Sequence, residues 1–346
     1  MHILIPGGCG FIGSSLAIYL KKNIKNCIII SVDNLSRNTS YLNQKILKKN
    51  KIKNLKLDLS SSKCLSYLKK VKYKFDFIID CCAEPSVELS KYNSKLVFNS
   101  NLLSTHNLLE FAKKNNSKII YLSSSRVYSI KKINDFFKRI KYKKKLPKKL
   151  KINENFSTSS PISLYGFTKL ASEILIKEFS YLHNLKFIIN RFGVVSGYGQ
   201  FGKQDQGFVS MWLWKHLNKI PIYYLGFGGC GNQIRDVLDI DDLCSLIKEQ
   251  IIKINKINNE TFNVGGGLKN SISLRELSNY STKITKNHVR IKKIISTSKY
   301  DIRYYVTDNK KIYTKYKWRV KKNIKKIIHE TLDSLILNKK KLIKIL

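Results

Sequence analysis

The sequence predicts an α/β protein built on a doubly wound parallel sheet, followed by a smaller C-terminal lobe. Short β-branched runs alternate with helical stretches through the first half. A glycine-rich turn follows the first of these runs, and the segment 196–232 is rich in glycine and aromatic residues. Apolar runs that alternate with helices form βαβ units, whose strands are buried on both faces.

Strands are expected at residues 2–6, 27–33, 55–59, 76–83, 118–124 and 186–191, with helices such as 12–22 and 102–115 between them. Residues 1–195 and about 233–264 make up the expected sheet domain, and 196–232 with 265–346 the smaller lobe. One helix is expected around 209–217, another over 239–254, and a short strand at 261–264. The tail from Ser271 reads as helical before the mixed segment DIRYYVTD. A basic insertion, about 130–151, interrupts the first domain and reads as a solvated, partly helical segment.

Composition narrows the function. Lys and Arg number 65 against 23 Asp and Glu, a net charge of +42. The lysines are spread along the whole chain, in a composition crowded with Lys, Ile and Asn. Nucleic-acid binding needs a concentrated patch, so nucleic acid is not an expected partner. A dispersed positive field still attracts anionic small molecules. No apolar run approaches the roughly 20 residues of a membrane span, and no membrane association is expected. Residues 1–6 read as a strand with no charged-then-apolar leader ahead, which makes a cytoplasmic location the expectation. The seven cysteines lack metal-ligand spacing and are odd in number, so they are read as reduced thiols with no metal site.

The strand HILIP runs into Gly7-Gly8-Cys9-Gly10-Phe11-Ile12-Gly13, and a helix follows. Glycines let the backbone turn tightly and approach a pyrophosphate, and the helix N-terminus offers free N–H groups, here around Phe11 and Ile12. In this context Gly7, Gly10 and Gly13 mark a Rossmann-type dinucleotide site. Asp33 ends the second strand 20 residues after Gly13, where a carboxylate accepts hydrogen bonds from the adenosine ribose. That charge repels a 2′-phosphate, so tightly bound NAD is expected over NADP; Arg37 nearby is the one feature that would favour NADP. Asn34 beside it, Asp58 at the end of the third strand and Ala83 at the end of the fourth complete this side of the expected cofactor set.

Tyr165 and Lys169 stand at i and i+4 in YGFTK and share a helical face. An ammonium beside a phenol favours the phenolate, which can take a proton from a hydroxyl while hydride leaves the same carbon. Ser123–Ser125 close the strand KIIYLSSS, at the carboxyl end where ligands of open α/β sheets bind.

GGCGFIG, SSSRVY and YGFTK together resemble the extended short-chain dehydrogenase/reductases. The resemblance implies Ser124, four residues before Tyr128, as the catalytic hydroxyl beside Tyr165 and Lys169. It implies Asn101 as a cofactor-side residue that orders the lysine region, and Ser125 and Arg126 as substrate neighbours. SRVYS, PISLYGFTKLASE, GYGQFGKQDQGF, GFGGCGNQIRDVLDIDDL and FNVGGG further resemble the CDP-paratose 2-epimerase (CDP-tyvelose epimerase) branch. By that resemblance the partner is a nucleotide-diphosphate sugar. Arg235 and Arg303 would hold its diphosphate, and Gln204, Asp205 and Gln206 would line its pocket. A homodimer is an expectation by analogy.

Three departures stand out. Val194 occupies a place where the wider family often has Asn. Ser298-Lys299-Tyr300-Asp301 replaces R-x-G-D, and Cys81-Cys82-Ala83-Glu84 ends the fourth strand where His and Gln are common.

The reaction implied is 2-epimerisation through a transient keto-sugar. A 4-epimerase or an NAD(P)-dependent reductase would use the same three residues. A 4,6-dehydratase needs an acid/base pair directly after the hydroxyl, where this chain has Ser125 and Arg126. A non-enzymatic RNA-associated protein would need none of Ser124, Tyr165 and Lys169.

Overall fold

The computed structural model describes residues 1–138, 151–202 and 206–345. The chain divides into two units. The first comprises Met1–Val127, Leu164–Arg191 and Leu243–Phe262; the second comprises Tyr128–Ser163, Phe192–Asp242 and Asn263–Leu346.

The first unit is built on a seven-stranded sheet. Its strands are β1 (His2–Pro6), β2 (Ile28–Asp33), β3 (Lys53–Lys56), β4 (Phe77–Asp80), β5 (Lys118–Ser124), β6 (Phe187–Phe192) and β7 (Glu260–Val264). Their order is β7-β6-β5-β4-β1-β2-β3, so the chain winds outward from β1 in both directions, the doubly wound Rossmann arrangement. Parallel pairing joins β1 to both β2 and β4, β2 to β3, and β4 to β5. Ile3, Leu4 and Ile5 of β1 are fully buried, which requires cover on both faces. The helix Phe11–Asn23 turns Leu16, Ala17 and Leu20 inward, and Ser104–Asn115 does so with Leu108, Leu109, Phe111 and Ala112. Each such Leu or Phe contributes about 1.5–3 kcal/mol on burial.

Two expected strands end early. The third stops at Lys56, not at residue 59, and the fourth at Asp80, not at residue 83. Leu59 is buried in the core although the backbone has left the ladder. Asp58 therefore sits in the turn after β3, and Ala83 in the segment after β4.

In the second unit, Ile234–Asp239 is flanked by Ser271–Ser273 and Tyr304–Tyr305, and Val194–Ser196 also pairs with it. Ile222–Leu225 pairs with Ile291–Ile294. Ser271–Ser273 is thus a strand, and the helix Leu274–Thr285 starts just beyond it on a capping box of Ser273 and Glu276. The helix expected around 209–217 spans Phe208–Leu217, and Trp212 Nε1 donates to Ser278 Oγ at 2.8 Å. Of the basic insertion, Ile130–Lys138 is helical, and residues 139–150 lie outside the described residues. No helix among the described residues is long and apolar enough to cross a membrane.

Candidate active site

The turn from β1 into the helix Phe11–Asn23 follows from its glycines. Gly7 has φ +68°, and a Cβ there would lie 2.7 Å from the Cys81 carbonyl oxygen. A Cβ on Gly13 would overlap the Gly7 carbonyl. Gly10 is the N-cap and no side chain caps the helix, so its first N–H groups face outward for an anion. Asp33 closes this cradle: one carboxylate oxygen accepts from Cys9 N at 3.0 Å, the other from Leu35 N at 2.8 Å. Burial pushes its carboxyl above the ordinary range, against those two hydrogen bonds and the Arg37 charge. Arg37 itself is ion-paired to Glu84 at 3.2 Å. Asn34 is exposed and donates to Asp58 at 3.2 Å. Asp58 also accepts from Ser60 N and Oγ, which makes it a turn-capping residue. Glycine cradle, open helix N-terminus and Asp33 carboxylate fit the pyrophosphate and ribose of NAD.

The helix Ser163–His183 carries Tyr165 and, one turn on, Lys169. Tyr165 is 7% exposed and Lys169 2%. The Lys169 ammonium lies 4.1 Å from the centroid of the Tyr121 ring on β5. Asn101 sits in a π-helical turn, Asn99–Leu103. Its Oδ1 accepts from Glu84 N at 2.7 Å, and its Nδ2 donates to the Thr168 hydroxyl at 3.0 Å. It therefore ties the segment after β4, which includes Ala83, to the Tyr165 helix.

The three serines closing β5 have different surroundings. Ser123 is buried and donates to Glu173 Oε1 at 2.5 Å. Ser124 is half-buried and accepts only the backbone N–H of Arg126, at 3.2 Å, among the described contacts. Ser125 and Arg126, both half-buried, open the short turn that follows. The arrangement leaves the Ser124 hydroxyl free to donate, as a substrate oxygen requires.

Two residues here were not singled out from sequence. Glu173 grips Arg191 at the end of β6 with both carboxylate oxygens, at 2.6 to 3.1 Å. Asp80 is a buried carboxylate ending β4. Glu173 stands four residues after Lys169, a spacing that could have pointed to it.

In the second unit, Arg235 donates to Asp301 at 3.2 Å and to the Ile234 and Ile302 carbonyls at 2.8 and 2.6 Å. Its acid partner is Asp301, not the adjacent Asp236. Arg303 instead lies over the Phe227 ring, 5.0 Å from its centroid. A cavity of about 310 Å³ is lined by Arg303, Lys131, Lys299, Asn134, Asp135 and Phe227, among others. Gln206 is half-buried; Gln204 and Asp205 lie outside the described residues. A cluster of three acids, Asp239, Asp241 and Glu330, encloses the Lys322 ammonium at 3.1, 2.6 and 2.6 Å. All seven cysteines are free, and burial pushes the Cys9 thiol up to about 12.

Strand order, glycine cradle and the Tyr165–Lys169 helix define a Rossmann-fold enzyme of the short-chain dehydrogenase/reductase type. The chain belongs to the NAD dependent epimerase/dehydratase family, whose model matches residues 3–265, and NAD is its cofactor. It is 29% identical to CDP-paratose 2-epimerase of Salmonella typhi, over 96% of this chain and 98% of that one. It is 30% identical to a putative UDP-glucose 4-epimerase of Methanocaldococcus jannaschii, over 78% of this chain and 79% of that one. Its fold matches UDP-glucuronic acid 4-epimerase from Bacillus cereus, solved with UDP-glucuronic acid and NAD. There the TM-score is 0.80 and the identity 22%, covering 97% of this chain and 99% of that one.

Proposed function

We propose that the protein is an NAD-dependent epimerase of a nucleotide-linked sugar that inverts C2 of a CDP-linked dideoxyhexose and holds its cofactor tightly. The observation that carries this reading is the end-to-end likeness to a relative named as a CDP-paratose 2-epimerase, 96% of one chain against 98% of the other. The site chemistry agrees with it. NAD, when bound, supplies a reversible hydride acceptor. Gly7, Gly10 and Gly13 would give its pyrophosphate close backbone approach beside the N–H groups of Phe11 and Ile12, and Asp33 would accept from its ribose. Tyr165 takes the proton of the sugar hydroxyl and later returns it. Ser124 donates to the same oxygen, which stabilises charge developing there. Lys169, one turn from Tyr165 on the same helix, would hold the cofactor ribose.

Arg303, with Lys131 and Lys299 on one cavity, is assigned the diphosphate, because its guanidinium has no carboxylate partner among the described residues. Arg235 holds the 301–302 segment that precedes it. Elimination of water is not supported: Ser125 and Arg126 follow Ser124, and a guanidinium cannot deliver or remove a proton near neutral pH.

A second reading, 4-epimerisation of a UDP-sugar, is favoured by the 30% likeness to a putative UDP-glucose 4-epimerase. One experiment separates them. The purified protein is denatured and its released cofactor identified, and a second sample is incubated in D₂O with a CDP-3,6-dideoxyhexose or with UDP-glucose. The proposal expects released NAD and inversion at C2 of the CDP-sugar, with no deuterium at that carbon. Inversion of UDP-glucose at C4 alone overturns it, and deuterium at the inverted carbon overturns hydride transfer.

A further inference from the structure

We propose that Asp80 is a positioning residue for Lys169, its buried carboxylate supplying the counter-charge that seats the ammonium over the Tyr121 ring. The inference rests on the reading above, in which Lys169 serves the cofactor.

The geometry comes from strand register. Asp80, the last residue of β4, is the direct partner of Tyr121 on β5. The Lys169 ammonium lies 4.1 Å from the centroid of that same ring. One aromatic residue thus carries the ammonium over its ring and has Asp80 as its register partner, with Asp80 at 3% exposure and Lys169 at 2%. Both are nearly excluded from bulk solvent, and in a low-dielectric interior charges interact well beyond contact distance. Asp80 takes a hydrogen bond from Cys82 N at 2.9 Å and one from the Thr105 hydroxyl at 3.2 Å, both neutral donors. Burial pushes its carboxyl upward, and the Lys169 charge is the foremost influence drawing it back.

The other ionisable groups around Lys169 do not compete. Glu173, one turn along the same helix, is neutralised by the two-pronged grip on Arg191 and also holds Ser123. Burial pushes the Cys81 and Cys82 thiols up, Cys82 to about 12, so both stay neutral. Burial also raises the Tyr121 phenol, which leaves its ring an uncharged π face for the ammonium. Tyr165 is the remaining neighbour on the helix. Among the described residues, Asp80 is the carboxylate next to Lys169 with no other cation of its own.

The test is a double-mutant cycle on the purified protein. Asp80→Asn keeps an acceptor for Cys82 N but removes the charge; Lys169→Met removes the ammonium and keeps much of the volume. Thermal unfolding midpoints of wild type, both single variants and the double variant are compared. The inference expects non-additivity of about 2 °C or more, the double variant melting no lower than the worse single one. Additive shifts overturn it. Asp80→Ser in the same cycle decides the matter should Asp80→Asn not fold. In the turnover assay, Asp80→Asn is expected to lower kcat about tenfold with KM unchanged, and Asp80→Glu to recover part of the loss. Wild-type turnover in Lys169→Met would remove the proposed role of Lys169, whereas additive midpoints with an inactive Lys169→Met would remove only that of Asp80.

Discussion

The Asn101 side chain donates to the Thr168 hydroxyl at 3.0 Å, and Thr168 is the residue immediately before Lys169. Thr168 in turn donates to the Tyr165 carbonyl at 2.9 Å, so one amide braces the stretch that carries both catalytic candidates. Asn101→Ala strips buried partners from Glu84 N and Thr168, which costs about 1–3 kcal/mol. A lower denaturant midpoint is expected, with turnover reduced by up to about a hundredfold as the Tyr165 helix loosens. An unchanged midpoint and unchanged turnover would show that the brace carries no strain.

Tyr165→Phe removes one hydroxyl from a buried position and leaves the ring packing intact. Turnover is expected to fall by about 10²–10⁴, with the amount of cofactor released per chain unchanged. Chromatography of the sugar nucleotide and of the released cofactor measures both. Persistence of wild-type turnover would assign the proton transfer to another group.

On the proposed reading, cofactor choice is expected to turn on Asp33 and on Arg37, which is ion-paired to Glu84 at 3.2 Å. Asp33→Asn is expected to raise NADP binding relative to NAD by about tenfold. Adding Glu84→Gln removes the ion pair of the Arg37 guanidinium and is expected to raise the ratio further. Competition of the two dinucleotides on cofactor-stripped protein measures it, and no change in the double variant would show that neither residue reads the 2′ position.

Asp239 offers a pH test of stability. Burial raises its carboxyl from 3.8 to about 6, although Lys322 pulls the other way. A group whose folded pKa lies above its unfolded one contributes stability that is full below about pH 4 and lost as pH rises through about 6. The wild type is therefore expected to lose roughly 3 kcal/mol from this source between those values. Asp239→Asn removes that slope, so the two stability–pH curves lie close together near pH 4 and separate toward neutral pH, the wild type falling below the variant. Parallel curves would refute the assignment.

Local spacing was enough to read the glycine turn, Asp33, the serines closing β5 and the Tyr165–Lys169 pair, because each is written within a few residues. Strand ends were less legible. Leu59 is buried, and apolar pattern reports burial, whereas a strand is defined by ladder hydrogen bonds that stop at Lys56. Arg235 shows the other limit. Asp236 follows it in sequence, but neighbours on a strand point to opposite faces, and Asp236 is fully buried. The partner that meets Arg235 is 66 residues away, a pairing set by tertiary structure alone. The same holds for Asp80 and Tyr121, joined by strand register and by nothing in the local sequence.

The strand order also bears on synthesis. β6 ends at Phe192, yet β7, which covers its outer edge, begins only at Glu260. At about 5–20 residues per second, a ribosome needs some seconds to deliver the missing strand. During that interval the nascent sheet shows an open row of N–H and C=O groups along β6, the template on which neighbouring chains mispair. Crowding of polysomes before Glu260–Val264 is delivered is then a stage at which this edge is open to mispairing.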